Sequence, residues 1–119
     1  MLRTKTIGDM GEAAAVKYLR KKGYKIIDCN YRCRFGEIDI IAKFKDYYVF
    51  IEVKTRRSTL YGRPIESINA VKMKHILKTL QFYLSQNRIY NSNIRVDAIE
   101  VFMNKENYIK INHVENILY

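Results

Sequence analysis

Apolar positions recur along this chain with two different periods, and the changes of period mark the elements. In residues 9–22, Ala15, Val16 and Leu19 share a helical face with Glu12, while Lys17 and Lys21 point away. Asp9 is a good N-cap and Gly23 a natural stop, which predicts a helix over 9–22. Ile26-Ile27 suggests a short strand. Residues 36–43 and 47–54 are rich in β-branched and aromatic side chains, alternate with period two, and flank a tight turn at Lys45-Asp46. They predict a hairpin. Residues 55–66 hold Arg56, Arg57, Gly62, Arg63 and Pro64, which is loop chemistry with a basic bias. Over 67–86 the period returns to 3.6: Met73, Ile76, Leu77, Leu80, Tyr83 and Leu84 fall on one face, Lys74, Lys78 and Gln81 on the other. Strands are predicted at 94–103 and 107–113, with a turn at 104–107. The order α-β-β-β-α-β-β implies an α/β fold, a mixed β-sheet flanked by helices, in a single domain spanning 1–119.

Charge changes the picture most. Twenty-two Lys+Arg against 12 Asp+Glu give a net charge of +10, which favours a polyanionic partner and above all nucleic acid. The longest uninterrupted apolar stretch, 47–51, is far short of the ~20 residues a membrane helix needs, so no membrane partner is expected. The charged start, residues 1–5, has no apolar segment behind it, and a cytoplasmic location is expected. Cys29 and Cys33 stand four apart, with His75 and His113 remote in sequence; reduced thiols are expected rather than a zinc site.

Three acids break the binary pattern. Glu12 lies at one end of an apolar helical stripe, where an unpaired carboxylate is costly. Asp9-x-x-Glu12 also resembles a capping box, which would explain Glu12 locally. In the hairpin, alternation puts Ile38, Ile40 and Ala42 on one face and Glu37, Asp39 and Ile41 on the other. Glu52 follows Tyr48 and Phe50 on its own face and shares it with Lys54. Neighbouring strands lie about 5 Å apart, so Asp39 can approach Glu52. Two such carboxylates repel, a conflict that a divalent cation removes; hard oxygen ligands suit magnesium. A surface salt bridge across the hairpin, Asp39 or Glu52 with Lys54, is the plainer alternative.

The run 36–42, Gly-Glu-Ile-Asp-Ile-Ile-Ala, followed by 49–56, Val-Phe-Ile-Glu-Val-Lys-Thr-Arg, resembles the core of the PD-(D/E)XK nucleases. Gly11-Glu12-x-Ala14, Tyr18-Leu19, Gly23-Tyr24, Asn30, Tyr61-Gly62-x-Pro64, Lys72 and Arg95-x-Asp97 narrow the resemblance to the YraN-like family, small bacterial proteins with a restriction-endonuclease-like fold. Ile38 stands where the motif's name has proline. The resemblance implies a catalytic set of Asp39, Glu52, Lys54 and Glu12. Asp39, Glu52 and the Val53 carbonyl would hold Mg2+ or Mn2+, with Lys54 as the catalytic lysine. Glu12 would be the helix acid that Holliday-junction resolvases place beside the metal.

Arg56, Arg57 and Arg63 follow Lys54 and are placed to grip phosphates, where contacts position without specifying. Lys72, at the edge of the apolar face of the second helix, could point toward the same site. The implied activity is a metal-dependent endonuclease, with DNA, branched or structured, favoured over RNA as substrate and RNA left open. A nucleic-acid-binding module that does not cleave, or a nuclease subunit working only with a partner, are the alternatives, and pairing of two copies stays open.

Overall fold

The computed structural model describes residues 6–57, 68–104, 106 and 108–118. Its elements are α1 (Ile7–Lys21), β1 (Lys25–Cys33), β2 (Gly36–Phe44), β3 (Tyr47–Arg56), α2 (Ala70–Gln86), β4 (Asn93–Met103) and β5 (Ile109–Val114). The strands form one mixed sheet in the order β1-β2-β3-β4-β5, parallel only between β3 and β4, where α2 is the crossover. This is the expected α-β-β-β-α-β-β order, in keeping with a restriction-endonuclease-like fold. No helix among the described residues is long and apolar enough to cross a membrane.

The helices cover opposite faces of the sheet. Ala15 and Leu19 of α1 pack with Ile40, Ala42, Val49, Ile51, Ile99 and Val101. On the other face Ile76, Leu80, Tyr83 and Leu84 of α2 pack with Ile38, Ile41, Phe50 and Val96. β4 is buried from Arg95 to Met103, because it lies between two strands and is covered on both faces.

Four local predictions are corrected. The first helix begins at Ile7 with Thr6 as N-cap, and its capping box joins Thr6 to Asp9: the Thr6 hydroxyl accepts from the Asp9 N–H at 3.0 Å and the Asp9 carboxylate from the Thr6 N–H at 3.2 Å. Asp9 is therefore the third residue of the helix, and Glu12 is not a capping residue. The short strand around Ile26-Ile27 is a nine-residue edge strand, irregular between Ile26 and Asp28 and carrying Asn30 at φ 56°. Alternation also breaks inside β2. Ile38 packs under α2 whereas Ile40 and Ala42 pack under α1, so the three do not share a face, and the break falls at Asp39. The second helix starts at Ala70 behind an Asn69 cap.

Candidate functional site

The β2–β3 ladder runs from Phe44↔Tyr47 to Ile40↔Ile51 and stops there. Asp39 and Glu52 are the next residue on each strand. Beyond the last rung the Val53 N–H takes a side-chain acceptor, Asp39 Oδ2, at 2.8 Å. One carboxylate oxygen is thus tied to the neighbouring strand's backbone, which satisfies a group that the parted strands would leave unpaired.

Glu52 is 8% exposed. Its Oε2 receives Lys72 Nζ at 3.2 Å, while Oε1 is buried with no hydrogen-bond partner among the described residues. Burial pushes the Glu52 carboxyl up, the nearby Asp39 charge pushes it further, and Lys72 only partly offsets them; the result is about 7. Asp39 is also raised by burial, against the Val53 hydrogen bond and the Lys72 charge.

Glu12 reaches the same place from α1. The helix lies so close to β3 that a Cβ on Gly11 would stand 1.8 Å from Thr55 Oγ1; only glycine fits there, and the next residue, Glu12, is carried to the end of the sheet. Burial raises the Glu12 carboxyl, and the Asp39 charge adds to this against a hydrogen bond with Asn30. Asp39 is the shared member, its charge raising both Glu12 and Glu52.

Lys54 is exposed and lines a cavity of about 50 Å³ with Glu52, Val53, Lys72 and Glu100. The sequence-derived set Glu12, Asp39, Glu52 and Lys54 therefore gathers at one end of the sheet, and Lys72 joins it as the partner of Glu52. The other basic residues divide. Arg56 donates from Nε to Glu100 Oε2 at 3.1 Å and is largely enclosed, so it anchors the end of β3. Arg57 is exposed, and Arg63 lies outside the described residues.

Two residues with parts here were missed in the sequence. Asn30, in a left-handed backbone position that asparagine tolerates better than most residues, offsets part of the rise in the Glu12 carboxyl. Glu100, 1% exposed, is bound by Arg56 and by Asn112 Nδ2 at 3.3 Å. An acid within the apolar run 96–103 was the available signal.

The donor set fits a small hard cation: two neighbouring carboxylates and a buried oxygen without a partner. Among the described residues no group of three or more His, Cys, Asp or Glu stands close enough to form a metal cluster. An ion here would draw on two carboxylates and complete its shell with backbone carbonyl and water, the habit of magnesium.

Residues 11–101 match the model of the Uncharacterised protein family UPF0102. A UPF0102 protein of Alkaliphilus oremlandii is 53% identical over 114 residues, covering 94% of this chain and 97% of its own. UPF0102 proteins of Caldanaerobacter subterraneus subsp. tengcongensis and Clostridioides difficile are each 44% identical, covering 94% and 97% of this chain and 93% and 98% of their own. These matches span the helix acid, both strand acids and both lysines of the site, and the chain belongs to the UPF0102 family, the YraN-like family that its motifs resemble.

Proposed function

We propose that this protein is a divalent-metal-dependent endonuclease that hydrolyses phosphodiester bonds in DNA. The observation that carries the reading is Glu52: a buried carboxylate beside Asp39, with one oxygen unpartnered and a pKa lifted to about 7. A structural acid has its oxygens satisfied. One held in conflict with a neighbour is what a metal ligand looks like before its metal arrives.

Asp39 and Glu52, with the Val53 carbonyl, would hold Mg2+ or Mn2+. When bound, such an ion polarises a phosphoryl oxygen and lowers the pKa of bound water. Lys54, on the rim of the Glu52 cavity, offers a cation to the charge that gathers on the phosphate during displacement. Glu12, whose proton is held more firmly than a free glutamate's, adds a third acid at this end of the sheet, within reach of the Asp39 charge. The exposed Arg57 and the net charge of +10 draw a polyanion toward this end of the sheet.

The test is a cleavage panel of linear, single-stranded, flap and four-way-junction DNA plus one RNA. Each is run with Mg2+, Mn2+ or chelator, for wild type and Lys54→Ala. Metal-dependent cutting that the variant loses while retaining binding is the expected result. Tight, salt-sensitive binding with no cutting under any condition would sink the activity of the isolated chain and favour a binding module or a partner-dependent subunit.

A further inference from the structure

The pairing of Lys72 with Glu52 is out of place by the rules of the helix that carries it. Lys72 is the third residue of α2, and its N–H is bound by the cap residue Asn69 at 2.9 Å. A helix's N-terminal turn carries a partial positive charge and favours acids, yet the first turn of α2 holds none and holds this lysine instead. What offsets the mismatch lies outside the helix. Lys72 Nζ is 3.2 Å from Glu52 Oε2, and its charge also bears on Asp39.

The ammonium therefore already occupies one oxygen of the carboxylate that a metal held by Asp39 and Glu52 would use, as a single positive charge bearing on both acids. It is also free to leave. The side chain is 52% exposed, against 10% for that of Glu52. Lys72 stands on the ridge between two spaces: the small cavity with Glu52, Lys54 and Glu100, and a groove of about 360 Å³ lined with Gly36, Glu37, Asn69 and His75. Its flexible four-carbon stem can turn the charge from the first into the second without disturbing the backbone.

We propose that Lys72 is the site's resident cation, occupying Glu52 in the metal-free protein and exchanged for the divalent ion on entry. This rests on the metal-site reading above and adds to it a built-in competitor. Two cations that exclude one another from one carboxylate are negatively coupled, so removing the lysine tightens metal binding. A lysine that only gripped phosphate would leave metal affinity unchanged.

The experiment titrates Mn2+ into the purified protein without nucleic acid, following free Mn2+ by its electron paramagnetic resonance signal. Wild type, Lys72→Met, Lys72→Arg and Glu52→Gln are compared. Lys72→Met is expected to bind about tenfold more tightly than wild type, within the usual range of couplings between sites. Lys72→Arg should stay near wild type, and Glu52→Gln should bind weakly. Thermal unfolding supplies a second readout: Lys72→Met should melt lower than wild type in chelator and gain more from Mn2+. Equal or weaker Mn2+ binding by Lys72→Met, with wild type still binding through Glu52, would overturn the exchange and leave the metal site standing. Absence of Mn2+ binding in every variant would overturn both.

Discussion

Asp97 on β4 and Glu52 on β3 are both buried acids on central strands, and their surroundings treat them in opposite ways. Asp97 is 0% exposed and fully answered. Its Oδ2 receives Arg95 Nη2 at 2.9 Å and meets His113 Nε2 at 2.7 Å; its Oδ1 accepts from Arg95 Nε and from the Asn116 N–H, both at 2.9 Å. The network widens to Tyr24, a partner of Arg95, and to Tyr18, whose hydroxyl is 3.0 Å from His113 Nδ1. Burial alone would raise the Asp97 carboxyl; hydrogen bonds from His113, Arg95 and Asn116 overcome it and hold the group below its ordinary value. Glu52, nearly as deep, has one lysine and one empty oxygen. One acid ties α1, β4, β5 and the C-terminal segment together. The other is left in debt, and that is where chemistry can be done.

The sharpest way to break the contrast is Asp97→Ala. It leaves Arg95 buried without its main partner and should cost about 3–5 kcal/mol in urea unfolding. A loss under 1 kcal/mol would remove the keystone role.

The next effect is one of pH. Glu52 has a folded pKa of about 7 against 4.5 unfolded, so the fold takes up a proton between those values. Its contribution to stability is complete below pH 4.5 and is lost as pH rises through 7, on the order of 3 kcal/mol in all. Asp97, with a depressed pKa, has the opposite sign: its stability is present above the unfolded value and fails as acid lowers the pH through the folded one. Glu52→Gln should flatten the loss between pH 5 and 8 while leaving the acid limb intact. Parallel curves for the two proteins in that window would show that Glu52 is not strained.

A smaller effect tests how α1 delivers Glu12. Gly11→Ala would drive a methyl into Thr55, and overpacking of this kind costs typically about 1–3 kcal/mol. Smallest of all is Lys54→Ala. The side chain is exposed, so stability should change by less than about 0.5 kcal/mol while cleavage is lost. A Lys54→Ala protein that unfolds early would place that lysine among the structural groups.

The hairpin and the buried face of α2 were legible because period and propensity agree there with the tertiary outcome. Asp39 and Glu52 were legible as neighbours for the same reason, since two strands joined by a tight turn fix their own register. Glu12 was ambiguous because Asp9-x-x-Glu12 read equally as a capping box; in the structure Thr6, three residues before Asp9, forms the box with Asp9 instead. The reversal at Ile38 was not legible. It coincides with the left-handed backbone at Asn30 on the neighbouring strand and with the end of the β2–β3 ladder at Ile40, both tertiary events. The pairing of Arg95 with Asp97 could be read from their shared strand face, but not the convergence of His113 and Asn116 from the far end of the chain.

The bond from the Val53 N–H to Asp39 has a mechanical consequence. It joins a side chain of one strand to the spine of the next, one residue before Lys54 and three before Arg56, which is itself clamped to Glu100. Between those two points β3 is paired residue for residue with β4, Lys54 opposite Glu100. The acid and the lysine are therefore mounted on one rigid frame, and neither backbone can shift without the other.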